Sequence, residues 1–256
     1  MIDLTQIARN TLLTDPYAWG AISNLFSTRD GAALADSFPG DHFKTVKDYD
    51  GEKEYEYEAR ALIEMGANTV SRSEELSAAW KSLAHDLLSD EYRVAMSLLT
   101  RCDLRKVPME VNVFHYGPRA HLGPHADLKD KLVTHVLYFN ESWKREDGGC
   151  LTILRSAVPT AVAAEISPLV GNSVVLVRSD NSWHAVPPVS NNCNSSRRSL
   201  TATFYRPGSI STMWLPGEMT PLHRYETADR DVQSHSQRRF LTRFREAVLC
   251  RIVKTT

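Results

Sequence analysis

The sequence predicts an α+β protein: a β core of the sandwich, jelly-roll or barrel kind with helices before and after it. Three observations carry this. Between Val107 and Tyr205, short runs rich in β-branched and aromatic residues alternate with turn chemistry, the pattern of many short strands. The first hundred residues show apolar residues three and four apart, the spacing of a helix buried along one stripe. From Gln237 to Val253 that spacing returns, with Phe240, Leu241, Phe244, Ala247 and Val248 on one side. A chain of 256 residues can bury a core without staples. We expect one domain over 1–256, mainly helical over 1–104, β-rich over 105–208, and closing with a loop and a helix over 209–256.

Ile2 to Leu13 is a short amphipathic helix candidate that stops before Asp15-Pro16, and Tyr17 to Phe26 is a second. Gly31 to Tyr49 is mixed, with a turn at Phe38-Pro39-Gly40. Glu52 to Met65 repeats glutamate and apolar residues and stops at Gly66, which predicts a helix. Ser73-Glu74-Glu75 opens the longest helical pattern, with Leu76, Trp80, Leu83, Leu87 and Leu88 on one stripe. It breaks near Ser89-Asp90 and continues to Leu99. The character then changes. Val107–Tyr116, Leu132–Phe139, Leu151–Leu154, Ser173–Val177, Trp183–Val186 and Ser199–Tyr205 are strand candidates. Gly117-Pro118, Asp147-Gly148-Gly149, Gly171-Asn172, Pro187-Pro188 and Pro207-Gly208 separate them.

Thirty basic residues against thirty-one acidic ones leave a net charge of −1. That balance argues against broad electrostatic binding of nucleic acid or of an anionic membrane. The four cysteines, at 102, 150, 193 and 250, form no CxxC pair and suit a reducing compartment. Neither a signal-peptide pattern nor an apolar run of the ~20 residues needed to span a bilayer is visible. The expected setting is the cytoplasm, with a small molecule as partner; a homodimer stays open.

The chemistry concentrates between His125 and Ser199. His125-Ala126-Asp127 puts two ligand-type residues two apart, a spacing that points both to one face at a strand end. His184 follows in a separate strand candidate. Two imidazoles and one carboxylate fill one face of an octahedral ion and leave positions for a cosubstrate, as in mononuclear iron oxygenases. The same donor set also builds zinc sites. Beyond His184, the segment Arg197-Arg198-Ser199-Leu200-Thr201-Ala202-Thr203 places Arg197, Ser199, Thr201 and Thr203 on one face. A polar face inside a β core implies a polar ligand. Arg197 offers a two-pronged grip for a carboxylate, Ser199 a further hydrogen bond, and Tyr138 can reach the same anion. A one-residue slip would exchange Arg197 for Arg198.

At these residues the chain resembles the iron(II)- and 2-oxoglutarate-dependent dioxygenases, in particular the prolyl-hydroxylase-like branch and bacterial hydroxylases of small molecules such as N-substituted amino acids. The resemblance rests on the order His125-x-Asp127, His184, Arg197-x-Ser199. It also rests on Val133-Thr134-His135-Val136-Leu137-Tyr138-Phe139-Asn140, Trp143 and Gly148-Gly149-Cys150-Leu151, and it covers roughly 107–207. It implies a double-stranded β-helix (jelly roll, cupin-like) fold, with His125, Asp127 and His184 as iron ligands. Tyr138 and Arg197 would bind the far carboxylate of 2-oxoglutarate, with Ser199 beside them. Iron(II), 2-oxoglutarate and O2 are then the cofactor and cosubstrates, and the products are succinate, CO2 and a hydroxylated C–H. Related halogenases carry a small residue in place of the aspartate; Asp127 therefore implies hydroxylation, with desaturation or epoxidation as further outcomes.

Of the remaining residues, His135 is expected to be structural or exposed; Asn112 and Phe114 are candidates to line the pocket, with core packing the alternative for Phe114. Tyr55 and Tyr57 are expected on a solvated helix face, and 28–50 and 209–231 are long enough for lids. Two other functions fit the same residues: a peptidyl, prolyl-type hydroxylase, and a non-catalytic or zinc-bearing β-barrel that only binds.

Overall fold

Strands that bury both faces need two partners, one on each side, and the chain supplies them as a β sandwich backed by helices. The computed structural model describes residues 1–48 and 55–214. In chain order it has α1 (Leu4–Ala8), β1 (Trp19–Ile22), α2 (Thr28–Asp36), β2 (Lys44–Asp48), β3 (Tyr55–Ile63), α3 (Ala78–Leu88) and α4 (Asp90–Thr100). Then come β4 (Met109–Tyr116), β5 (His121–His125), β6 (Lys131–Tyr138), β7 (Leu151–Leu154), β8 (Val162–Ile166), β9 (Ser173–Val177), β10 (His184–Val186) and β11 (Arg197–Tyr205). The pairing order is β1-β9-β6-β11-β4-β3-β5-β10-β7-β8, with β2 on β3, and the pairings are antiparallel. This nearly closed antiparallel sheet is a double-stranded β-helix.

The alternation along the long strands sorts residues between two cores. Val111 and Val113 of β4, Val133 and Leu137 of β6, Val175 of β9 and Leu200, Ala202 and Phe204 of β11 face the helices. Their neighbours Phe114, Tyr116, Val136, Tyr138, Val174 and Leu176 face the sandwich interior. The helices present the stripe the sequence predicts: Trp80, Leu83 and Leu87 of α3 and Tyr92, Met96 and Leu99 of α4 are buried. Ser77 and Ser89 cap them, accepting from the amides of Trp80 and Tyr92 at 3.2 Å each. Trp80 lies 4.8 Å from Phe139 and donates its indole N–H to the carbonyl of Leu34 at 3.0 Å.

His135 lies on the helix-facing side of β6, fully buried, with Nδ1 2.9 Å from the hydroxyl of Tyr92. Burial pushes its pKa down to about 3, and that of buried His115 to about 4. Both are neutral in the folded protein and titrate near 6.5 once unfolded. The unfolded chain therefore binds more protons between about pH 6.5 and pH 3–4, and stability falls as pH drops through that window. We expect the urea midpoint to decline from pH 6.5 to 4.5, and less steeply in His135→Phe; parallel slopes would contradict a buried neutral His135.

Four expectations for the N-terminal part change. Tyr55–Ile63, expected as helix, is a strand. It is rich in helix formers, but it pairs with β2, β4 and β5, and pairing outweighs propensity. The Tyr-Glu-Tyr-Glu alternation within it has the strand period. Tyr17–Phe26, also expected as helix, contains β1, which pairs along β9 from Trp19↔Leu176 to Ile22↔Ser173. Of Ile2–Leu13 only Leu4–Ala8 is helical, because Leu13 turns to bridge Trp19. Residues 28–48 form α2 and β2 rather than a lid. Gln237–Val253 lies outside the described residues. No helix among those described is long and apolar enough to cross a membrane.

Candidate active site

The first two ligand candidates meet because β5 and β10 pair. His125 and His184 are register partners, and their rings stand 4.3 Å apart. Each Nδ1 lies 2.9 Å from a carbonyl two residues earlier, Gly123 for His125 and Ser182 for His184. Donation to these carbonyls fixes the tautomer whose Nε2 carries the lone pair, the form a metal requires. Asp127 follows β5 by two residues. One ligand atom from each of the three lies within 4.8 Å of the others. None is more than 7% exposed.

The carboxylate of Asp127 is held on both oxygens. Oδ1 accepts from Lys131 Nζ at 2.7 Å and Oδ2 from the Thr134 hydroxyl at 3.0 Å. Burial alone would raise its pKa. The ammonium of Lys131 beside it holds it well below the usual carboxylate range. The donor chemistry thus fits a divalent ion: two oriented imidazoles and an ionised carboxylate around one point. Removing the Thr134 hydroxyl should loosen that carboxylate. We expect Thr134→Val to weaken iron binding by about 10–100-fold, read by metal titration; unchanged affinity would remove Thr134 from this role.

A second set, Asp41, His42 and Glu75, also converges. There Arg60 lies 3.7 Å from Asp41 and Arg72 3.5 Å from Glu75. Guanidiniums already match those carboxylates, so an ion-pair network accounts for the cluster.

The triad opens on a cavity of about 370 Å³. Arg197, Ser199, Thr201 and Thr203, the inward face of β11, line it together with Tyr116. Arg197 is 2% exposed and donates from Nη1 to the Ser199 hydroxyl at 2.8 Å. Its guanidinium carbon stands 4.9 Å from the Tyr116 ring and 5.2 Å from that of Tyr138. Among the described residues no carboxylate pairs with Arg197, and its Nε and the Tyr138 hydroxyl have no hydrogen-bond partner. A buried guanidinium without a counter-charge is costly; an organic carboxylate supplies what is missing. Burial pushes the Tyr138 hydroxyl up to about 12 although Arg197 pulls it down, so it is a neutral donor. Arg198 points the other way, over the Phe38 ring and 3.3 Å from the Ala35 carbonyl.

Gly149, with φ +66°, lets the backbone pass close by this arginine. A Cβ there would stand 2.8 Å from Val189 and 3.4 Å from the Arg197 side chain.

The structure therefore brings His125, Asp127 and His184 together, and gathers Arg197, Ser199 and Tyr138 at a neighbouring point. Asn112 and Phe114 line the cavity, and so do Tyr55 and Tyr57, which face inward from β3 rather than lying on a solvated helix. Glu110, Tyr116 and Thr134 also line it and escaped the sequence reading. The alternation that picks Asn112 and Phe114 reaches Glu110 and Tyr116 by one more step each way. The parity of Tyr138 likewise reaches Thr134.

Two histidines and an aspartate that could hold a metal ion, inside a double-stranded β-helix with a buried arginine nearby, fit the class of non-haem iron oxygenases. Comparison with known proteins narrows that class. A family model described as the 2OG-Fe(II) oxygenase superfamily matches residues 111–205. This segment, which carries the triad and Arg197, is similar to that superfamily, whose cofactor and cosubstrates are iron(II), 2-oxoglutarate and O2. Among solved structures, a Pseudomonas putida prolyl-4-hydroxylase is similar at 21% identity, covering 80% of this chain and 99% of its own, with a TM-score of 0.53. A prolyl 4-hydroxylase structure from Phytophthora capsici is similar at 15% identity, covering 83% of this chain and 68% of its own, with a TM-score of 0.52. These likenesses are of fold. No curated protein sequence matches the chain.

Proposed function

We propose that the protein hydroxylates an unactivated C–H of a small metabolite, such as an amino acid derivative or a natural-product intermediate, releasing succinate and CO2. The observation that carries this is Arg197, buried, without a carboxylate partner among the described residues and lining the same cavity as the triad. A metal store or a zinc-bearing binding barrel has no use for such a clamp. His125, Asp127 and His184 would hold the iron, which supplies oxygen activation coupled to decarboxylation of 2-oxoglutarate. Arg197 and Ser199 would bind the distal carboxylate of the cosubstrate, and the neutral Tyr138 hydroxyl would donate to it. Asp127, held in place by Lys131 and Thr134, occupies the ligand position that a halide would need, which favours hydroxyl transfer.

The cavity volume lies at the lower end of the range for small-molecule sites, roughly 300–1,000 Å³. This supports a metabolite over a peptide. The fold likeness to prolyl 4-hydroxylases supports a peptidyl substrate as second choice. The three described cysteines are free thiols, in keeping with action in the cytoplasm.

The test is succinate formation from 2-oxoglutarate with iron(II) and oxygen, run beside calorimetric titration of 2-oxoglutarate into the iron-loaded protein without oxygen. Binding together with iron-dependent succinate is the expected result. Absence of 2-oxoglutarate binding would end the proposal.

A further inference from the structure

The cavity ends in a second buried ionisable group, Glu110, that oxygen activation does not use. Along β11 the inward residues run from Arg197 to Tyr205, facing Tyr116, Phe114, Asn112 and Glu110 of β4. Arg197 pairs with Tyr116 and Thr203 with Glu110. Six residues of strand, about 20 Å at roughly 3.4 Å each, separate the arginine from the glutamate.

Glu110 lines the cavity and is 2% exposed. Its Oε2 accepts from Asn112 Nδ2 at 3.2 Å and from the Tyr205 hydroxyl at 3.4 Å. Asn112 is itself oriented, its Oδ1 accepting from the Trp214 indole at 2.7 Å. Asn112 and Tyr205 thus hold the carboxyl group by one oxygen, while among the described residues Oε1 has no hydrogen-bond partner. Lys131, the cation whose charge bears on Glu110, is ion-paired with Asp127 at 2.7 Å. Burial raises the pKa of Glu110, and Ser211, Asn112, Lys131 and Tyr205 offset only part of that. Leaving a buried carboxylate oxygen unmet is costly. A cationic donor arriving with the ligand removes the cost. Between the two ends, Phe114 and Tyr57 stand 5.4 Å apart on the cavity wall and offer an apolar surface.

We propose that Glu110 is the substrate-specificity residue of this site, and that the substrate carries an ammonium group on an apolar body, with the ammonium donating to Glu110 Oε1. This rests on the dioxygenase function proposed above and adds the chemical class of the substrate. It places the amine at the end of the cavity remote from Arg197, so the two charged ends sort anionic cosubstrate from cationic substrate.

The probe is n-butylammonium, with 1-butanol as the uncharged match. Both are titrated into the iron- and 2-oxoglutarate-loaded protein without oxygen, and binding is followed by ligand-observed NMR. The wild type should bind butylammonium at least tenfold more tightly than butanol. In Glu110→Gln, which keeps an acceptor for Asn112 and Tyr205, that preference should vanish while the thermal unfolding midpoint stays near the wild-type value. Equal binding of the two probes, binding of neither, or a preference that survives in Glu110→Gln would each overturn the proposal. The 2-oxoglutarate titration of the same wild-type sample separates this failure from failure of the dioxygenase function.

Discussion

Asp127→Ala should abolish iron-dependent succinate formation. The carboxylate is the single anionic member of the triad, so its loss removes the charge that two neutral imidazoles need to hold a divalent ion. Losing an outer partner of a metal ligand already costs about 10–100-fold, and losing the carboxylate itself should cost more. The variant also leaves Lys131 without its ion-pair partner, so a second cation-repelling feature adds to the lost ligand. Fold should survive, because the Asp127 side chain faces the cavity rather than either apolar core. The measurements are succinate yield and bound iron per protein under saturating iron. Undiminished turnover would take Asp127 out of the ligand set.

Arg197→Lys should raise the KM for 2-oxoglutarate by about two orders of magnitude. Truncating one partner of a buried, hydrogen-bonded charge pair costs roughly 2–5 kcal/mol, and a tenfold change is about 1.4 kcal/mol. Lysine keeps the charge but not the planar fork that reaches Ser199 and a carboxylate together. Ser199→Ala removes one neutral partner, worth about 1 kcal/mol, and should cost only some fivefold. Arg198→Lys, by contrast, changes a side chain on the helix face and should leave KM within twofold. If Arg198→Lys raised KM and Arg197→Lys did not, the roles of the two arginines would be reversed. Initial rates of succinate formation against 2-oxoglutarate concentration read all three.

Much of this site is legible in the sequence because it sits on strands whose alternation is regular. Arg197, Ser199, Thr201 and Thr203 share a face in any strand that includes them, and β11 pairs without a shift from Arg197 to Phe204 along β4. β5 is harder. His121-Leu122-Gly123-Pro124-His125 contains both residues that normally argue against a strand, and its pairing with β10 shifts between His184 and Val186. His125 and Asp127 stand out there through their chemistry, not through the strand. β3 was misread because alanine, glutamate and leucine favour helices in isolation, whereas its fate is set by neighbours distant in sequence. Lys131 and Glu110 were missed for a related reason. Their meaning depends on what stands opposite, and a single strand does not state that.

His125 and His184 belong to the layer β5-β10-β7-β8, whereas Arg197 belongs to the opposite layer with β6 and β4. A dicarboxylic acid gripped at both places would act as a clasp across the sandwich. Thermodynamic linkage then makes fuel supply a determinant of stability: at a hundredfold excess over its dissociation constant, a ligand exclusive to the folded state adds about 2.7 kcal/mol. Without iron and 2-oxoglutarate that contribution disappears, and the folded state would give way at lower denaturant.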